Sequence, residues 1–185
     1  MMDFLPTSLT DACIVTSVAN EDERGYFIRA RCAEEFSQNG LPSEFVQTNL
    51  SFNAVAGTFR GLHFQVPPSS EGKLVRCVAG AVDDVIVDLR PDSQTFLRHE
   101  WFRLSGEDLS ALFVPSGFAH GFVTAADSTL VLYEMSDYYA PELGRGVRWN
   151  DPSLDLQLPQ EINAINQRDM AYSDLHIEDL ECFRR

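Results

Sequence analysis

Residues 71–90 read EGKLVRCVAGAVDDVIVDLR, two runs of apolar and β-branched residues separated by a turn. In the second run Val85, Val87 and Leu89 share one face at the two-residue period of a half-buried strand. Similar short runs, punctuated by Gly, Pro, Asp and Ser, occupy about positions 45–139. This close spacing of strands and turns predicts an all-β sandwich or barrel.

The segments that flank this stretch have a different pattern. Residues 30–40 (ARCAEEFSQNG) predict one short helix that ends at Gly40, because glycine readily adopts the left-handed conformation of a helix C-terminus. Residues 173–183 (SDLHIEDLECF) predict another short helix. Residues 151–160 (DPSLDLQLPQ) predict a loop or an extended packing segment.

The composition is that of a globular protein. A chain of 185 residues, 44% of them hydrophobic, is long enough for one compact domain, which we expect to span residues 1–185. A net charge of −14 argues against binding to nucleic acid or to an anionic membrane surface. The chain has neither the run of roughly 20 apolar residues that a membrane span needs nor a secretion signal. We therefore expect a soluble, cytoplasmic protein.

The four cysteines argue against a redox or zinc motif. Cys13, Cys32, Cys77 and Cys182 lie far apart and form no C-x-x-C pair. We expect reduced, structural thiols at these positions.

Two histidines lie beside turn residues, His63 in GLHFQ (61–65) and His120 in PSGFAHGF (115–122). Both resemble positions at which cupin barrels place metal ligands. However, Gln65 occupies the place of a second histidine two residues after His63, and the next polar group in reach is a cation, Lys73. The sequence therefore predicts no catalytic metal, and two imidazoles beside positive charge suit proton transfer and anion binding.

Lys73 and Tyr133 each allow two interpretations. Lys73, the only lysine, is either an exposed surface residue or a compact point charge for an oxyanion. Tyr133 shares a strand face with Thr129 and Val131, so it is either a core residue or an acid inside the barrel.

Six segments, taken together, resemble the dTDP-4-dehydrorhamnose 3,5-epimerase family of deoxysugar biosynthesis. They follow one another in the order and with nearly the spacing of that family. The segments are DERGYF (22–27), FVQTN (45–49), FRGLHFQ (59–65), EGKLVRCVAGAVDDVIVDLR (71–90), FVPSGFAHGFVT (113–124) and YEMSDYYAPELGRGVRWNDP (133–152).

The resemblance implies a cupin-type jelly-roll β-barrel with a few short helices, a homodimer, and no metal or organic cofactor. It implies a base that removes the proton beside the C4 ketone of a nucleotide-linked 4-keto-6-deoxyhexose. His63 matches this base, Asp169 its carboxylate partner, and Tyr133 the acid that returns a proton from the opposite face. Lys73 and Arg60 match the cations that stabilise the enolate.

The resemblance also implies a set of residues that bind the nucleotide sugar. Tyr139 matches the ring that stacks on the base, and the arginines suit a diphosphate because they form bidentate bonds. The predicted substrate-binding residues are Arg24, Phe27, Arg29, Gln47, Asn49, His120, Tyr139 and Arg168.

Some positions depart from the family pattern. Arg29 and Gly144 stand where glutamates are common, and Leu158 replaces a common tryptophan. These changes leave open whether the base is thymidine, cytidine or guanosine, and whether the enzyme inverts C3, C5 or both. A keto-isomerase of the same fold and a noncatalytic sugar-binding cupin are the alternatives. Strict alternation would also place Arg60 and His63 on opposite strand faces, which a bulge near Gly61 would reconcile.

Overall fold

The structure is a computed structural model that describes residues 1–184. Over this range the chain forms thirteen strands. In chain order they are β1 (Met2–Pro6), β2 (Cys13–Ser17), β3 (Asn20–Asp22), β4 (Gly25–Phe27), β5 (Gln47–Asn53), β6 (Phe59–Gln65), β7 (Lys73–Ala79), β8 (Ala81–Asp88), β9 (His99–Ser105), β10 (Ala111–Val114), β11 (Phe118–Thr124), β12 (Thr129–Met135) and β13 (Gly144–Gly146).

Most of these strands form two antiparallel sheets that face each other. One sheet has six strands in the order β1-β2-β10-β7-β12-β5, and the other has five in the order β13-β6-β11-β8-β9. Strands β3 and β4 form a separate hairpin. Consecutive strands β7 and β8 fall in different sheets, as do β11 and β12, which is the crossing pattern of a jelly roll. The predicted barrel is therefore confirmed.

The core lies between the two sheets. Val75 and Val131 of the six-stranded sheet pack there against Val82, Ile86 and Phe122 of the five-stranded sheet. Apolar burial of this kind contributes about 25 cal/mol per Å² of surface removed from water. This packing fills the barrel interior as far as Phe122, which also lines a pocket between the two sheets.

The prediction of a half-buried β8 is wrong in one respect. Val85, Val87 and Leu89 do share a face, as expected, but that face is the outer one. It is covered by the C-terminal segment through residues such as Leu156 and Leu180, while the opposite face is buried in the barrel. Because both faces are covered, nearly the whole strand is buried.

A bulge occurs where the sequence predicts one. His63 pairs with His120 and Arg60 pairs with Phe122, so two residues of β6 oppose one residue of β11. Gly61 has a φ of +136°, and a Cβ there would lie 2.6 Å from a backbone atom of Gly121. The bulge lets both Arg60 and His63 face the same pocket.

Both predicted short helices are present. Helix α1 (Ala33–Gln38) buries Phe36 and ends before Gly40, which has a φ of +74°. Residues Ile177–Phe183 form a 3₁₀ helix, anchored by the buried Leu180. Residues 151–160 form neither helix nor strand, as predicted, and pack through Leu154 and Leu156.

A further short helix, α2 (Gln167–Met170), was not predicted. The Asn166 side chain caps it by accepting a hydrogen bond from the Asp169 N–H at 2.6 Å. Within residues 1–184 no helix is long and apolar enough to cross a membrane. The cysteines are all free, and burial raises the pKa of Cys13 and Cys77 to about 11.

Candidate active site

A pocket of about 470 Å³ opens between the two sheets. The five-stranded sheet contributes His63 from β6 and His120 from β11, and the six-stranded sheet contributes Lys73 from β7 and Tyr133 from β12. Helix α2 contributes Asp169. The other sequence-predicted residues that line this pocket are Arg60, Asn49, Tyr139 and Arg168.

His63 and Asp169 form a carboxylate–imidazole pair. Nε2 of His63 lies 2.7 Å from Oδ1 of Asp169, whose other oxygen accepts a hydrogen bond from the Gly61 N–H at 3.1 Å. Burial alone would raise the pKa of Asp169. The hydrogen bonds from His63 and from the Gly61 N–H, together with the positive charge of Arg168, outweigh burial and hold that pKa below its usual value.

This pairing sets the protonation of the imidazole. An ionised carboxylate can only accept, so Nε2 of His63 carries the hydrogen and Nδ1 of the neutral ring carries the lone pair. The His63 side chain is 43% exposed, whereas that of Asp169 is 1% exposed. The arrangement therefore presents a basic nitrogen to the pocket and keeps its carboxylate partner away from water.

Lys73 is not a surface lysine. Its ammonium is buried, forms an ion pair with Glu71 at 3.0 Å, and donates to the backbone carbonyl of His63 at 3.3 Å. Glu71 also accepts from the Gln65 side chain at 2.8 Å, and Gln65 accepts from the Ala140 N–H at 2.7 Å. This network holds a positive charge beside the base and connects it to the segment that carries Tyr139.

Arg60 is the second cation in the pocket. Its Nε donates to the Asn53 side chain on β5 at 2.7 Å, and its guanidinium donates to the Phe52 carbonyl at 3.4 Å. These bonds join the two sheets at the pocket and fix the direction of the guanidinium. Arg60 thus adds a second positive charge to the cavity that Lys73 lines, from the opposite sheet.

Tyr133 both packs in the core and lines the pocket. Its ring lies in edge-to-face contact with His120, with centroids 6.1 Å apart, and 6.3 Å from the ring of Phe122. Burial raises the pKa of Tyr133, because a phenolate is poorly solvated there. The phenol is therefore neutral and is available as a proton donor.

A second carboxylate–imidazole pair lies beside Tyr133, and its carboxylate was not predicted from the sequence. His120 Nε2 is 2.9 Å from Oδ2 of Asp84, a fully buried residue of β8. The position of Asp84 in the sequence could have indicated it, because it shares a strand face with the core residues Val82 and Ile86. A carboxylate on a face that is otherwise apolar indicates a function or a partner.

A comparison with known protein families identifies the family of this chain. The family model described as dTDP-4-dehydrorhamnose 3,5-epimerase matches residues 6–176. The chain belongs to this family. Its resemblance to the family, first seen in six separate segments, is thus confirmed over most of its length.

Individual members of the epimerase family agree with this. The dTDP-4-dehydrorhamnose 3,5-epimerase of Methanothermobacter thermautotrophicus is 42% identical over 159 residues, 86% of this chain and 85% of that protein. The dTDP-4-dehydrorhamnose 3-epimerase of Streptomyces niveus is 34% identical over 169 residues, 91% of this chain and 81% of that protein. Among solved structures, the Bacillus anthracis 3,5-epimerase with TDP and PPi bound has a TM-score of 0.91 and 38% identity, covering 95% of this chain and 100% of that chain.

Four predicted epimerase residues do not line the pocket, and three of them lie in or beside the β3–β4 hairpin. Arg24 and Phe27 belong to the β3–β4 hairpin, where Arg24 forms an ion pair with Asp22. Arg29 follows the hairpin and forms an ion pair with Glu35 of helix α1 at 2.9 Å. In this chain alone, these side chains therefore do not meet the residues around His63.

Gln47 lies just beyond the pocket wall. Its side chain donates to Asn49 at 3.1 Å and accepts from the Tyr139 N–H at 3.3 Å. It can therefore position Tyr139 even though it does not line the cavity itself.

The prediction that this epimerase site needs no metal stays a prediction. Within residues 1–184, no three His, Cys, Asp or Glu side chains are grouped as ligands for an ion. Gln65, which occupies the place of a second histidine, instead binds Glu71 and Ala140.

Proposed function

We propose that the chain is an epimerase that inverts C3 and C5 of a dTDP-linked 4-keto-6-deoxyhexose in deoxysugar biosynthesis. This proposal rests on the positions of the two proton-transfer groups, which come from opposite sheets. His63 comes from the five-stranded sheet and Tyr133 from the six-stranded sheet, and both line one pocket. Inversion needs a base and an acid on opposite faces of the sugar, and groups from opposite walls can meet that need.

In the first step Nδ1 of His63 takes the proton from the carbon beside the C4 ketone. The electrons of that C–H bond move into the ketone and form an enolate, whose oxygen carries negative charge. Lys73 and Arg60 are positive groups that are already in place to stabilise this charge. Because the Glu71 and Asn53 contacts hold them, little reorganisation is needed when the charge develops.

In the second step Tyr133 gives its proton to the same carbon from the other face. The enolate returns to a ketone with the carbon inverted, and repetition at the second carbon completes the reaction. A keto-isomerase would not need the acid on the opposite wall, so the place of Tyr133 favours the epimerase.

For the nucleotide we propose thymidine diphosphate, bound between Tyr139 and Arg168 at the mouth of the pocket. The related Bacillus anthracis enzyme has TDP bound, and the fold of this chain matches it closely. Interaction with the Tyr139 and Tyr172 hydroxyls raises the pKa of Arg168. The guanidinium therefore stays positively charged and can bind a diphosphate. The Streptomyces niveus relative is a 3-epimerase, so inversion at C5 is the part to test first.

We also propose a homodimer. Leu50 and Phe52 on the outer face of β5 are 65% and 61% exposed, and they pair with the half-buried Leu132 and Leu130 of β12. Strand β5 is also an open sheet edge. An exposed apolar patch on a sheet edge is typical of a surface that a partner covers.

The same partner would complete the substrate site. Arg24 and Arg29 are exposed, as is Phe27, a residue that is 73% exposed. A second copy would bring these residues from its own hairpin, and from the segment just after it, to the pocket of the first. The single-domain organisation and the cytoplasmic location stay predictions.

The test is hydrogen exchange during turnover. The protein is incubated with dTDP-4-keto-6-deoxyglucose in deuterated water, and NMR follows deuterium at C3 and C5 together with the configuration of each carbon. We expect deuterium at both positions and inversion of both. Exchange at C3 alone would make the chain a 3-epimerase. No exchange with the thymidine, cytidine and guanosine substrates would instead support a noncatalytic sugar-binding protein.

A further inference from the structure

The His120–Asp84 pair has no part in the two steps above, although it lies beside the acid. His120 is only 5% exposed, yet it lines the pocket and touches the ring of Tyr133. Asp84 binds His120 through Oδ2 only, and its buried Oδ1 has no hydrogen-bond partner within residues 1–184. A buried carboxylate with one unpaired oxygen costs folding free energy, so a role beyond packing is indicated.

The proposed reaction creates a need for such a pair. After one inversion His63 has gained a proton and Tyr133 has lost one. His63 is close to half exposed and can release its proton to water. Tyr133 is enclosed, and burial makes its phenolate unfavourable, so it requires a proton donor close at hand.

Four polar side chains lie near the Tyr133 phenol: Ser51, Arg60, Asp84 and His120. Asp84 does not line the pocket and is hydrogen-bonded to His120, so it acts through the imidazole. Arginine does not release its proton in proteins, and a serine hydroxyl is too weak an acid. An imidazole both gives and regains a proton near neutral pH. Of these neighbours only His120 is chemically suited to the task.

We infer that His120, held by Asp84, returns the proton to Tyr133 after each inversion. An N–H bond of the His120 imidazolium breaks and the O–H bond of Tyr133 forms, either directly or through one bridging water. The ring becomes neutral and stays hydrogen-bonded to Asp84. Solvent protonates His120 again before the next inversion, and His63 releases one proton to solvent in the same interval, so the protons balance at each carbon. This role rests on the proposed function and adds to the substrate binding that the family resemblance implies for His120.

The experiment compares deuterium exchange with net inversion in His120→Gln, in the same substrate and solvent as above. Exchange through His63 alone needs no proton from Tyr133, whereas inversion does. We expect net inversion to fall at least about tenfold more than exchange, with KM changed less than about threefold. Asp84→Asn should act in the same direction, since its amide cannot stabilise the imidazolium charge.

The matched control is His176→Gln, which removes an exposed histidine remote from the pocket and should change neither rate. Thermal unfolding checks that each variant folds, and His120→Asn replaces any variant that does not. Equal losses of exchange and inversion with a raised KM would assign His120 to substrate binding alone and overturn the inference, as would no loss of either rate. Failure of the proposed function is distinct, because the unmodified protein would then show no exchange.

Discussion

Nε2 of His63 lies 2.7 Å from Oδ1 of Asp169, although 106 positions separate the two residues in the chain. Asp169 lies in the first turn of helix α2, beside the bulge in β6, where the Gly61 N–H donates to its second oxygen. The carboxylate is thereby held by two donors and cannot rotate away from the imidazole. This relationship fixes which nitrogen of His63 can act as the base.

Asp169→Asn should remove most of the activity without unfolding the protein. The asparagine has one acceptor oxygen, so it either loses the Gly61 bond or turns its NH₂ toward His63. The second orientation forces the hydrogen onto Nδ1, which then cannot accept the substrate proton. We expect kcat to fall by about 10²–10⁴-fold. A loss below about tenfold, with normal thermal unfolding, would contradict this role.

Tyr133→Phe should separate exchange from inversion. The phenylalanine keeps the ring against His120 and Phe122, so the free energy of unfolding should change by less than about 1.5 kcal/mol. Without the hydroxyl, we expect exchange at the substrate carbons to be retained better than net inversion. NMR in deuterated water measures both. Equal loss of the two rates would show that Tyr133 is not a separate acid.

Lys73→Met should reduce both stability and activity, for different reasons. It leaves the buried Glu71 carboxylate without its cation, and breaking such a pair costs about 3–5 kcal/mol. Adding Glu71→Gln should recover much of that loss in urea unfolding. Activity should stay at least about 100-fold reduced in the double variant, because no ammonium meets the enolate. Recovery of activity together with stability would refute the role of Lys73.

Leu132→Glu should separate the proposed dimer into monomers. The substitution places a charge in the middle of the outer apolar face, directly opposite Leu50. Light scattering at micromolar concentration should show a dimer for the unmodified protein and a monomer for this variant. The control is Ile177→Glu, which changes an exposed apolar residue of the 3₁₀ helix. A monomeric unmodified protein would contradict the dimer.

Acid should destabilise the fold through carboxylates that are hydrogen-bonded in it. Burial opposes ionisation of Asp88 and Asp169, but their hydrogen-bond donors outweigh it and hold both pKa values below normal. The stabilisation from these two carboxylates is therefore complete above the pKa of about 3.9 that aspartate has in the unfolded chain. It is lost as the pH falls from there through the lower pKa of the folded state.

Asp84 acts in the opposite sense, because burial raises its pKa and protonation relieves that cost. Urea unfolding at about pH 6 and about pH 3.5 measures the sum of these effects. We expect a smaller free energy of unfolding at the lower pH, and a smaller difference between the two values in Asp88→Asn. Equal values for the unmodified protein at both pH values would contradict the expectation.

The sequence alone determined the features that depend on residues close together in the chain. The two-residue period of Val85, Val87 and Leu89 predicts a strand, and Gly40 predicts the end of helix α1, because both signals come from neighbouring residues. The order of six motifs was sufficient to indicate the family. It also indicated His63, Lys73 and Tyr133 as chemistry-bearing residues, without showing how they meet.

Only the tertiary structure decided the contacts between distant positions. The pairing register of β6 and β11 places Arg60 and His63 on one side, and the packing of the C-terminal segment buries the outer face of β8. The family resemblance implied Asp169 as the partner of His63, but Asp84 was recognised as the partner of His120 only in the folded chain, where strand pairing and helix placement bring both pairs together. Such contacts depend on the sheet register and on how the layers stack, which adjacent residues do not encode. The pocket chemistry therefore belongs to the folded barrel, whereas its strands and motifs can be recognised in the linear chain.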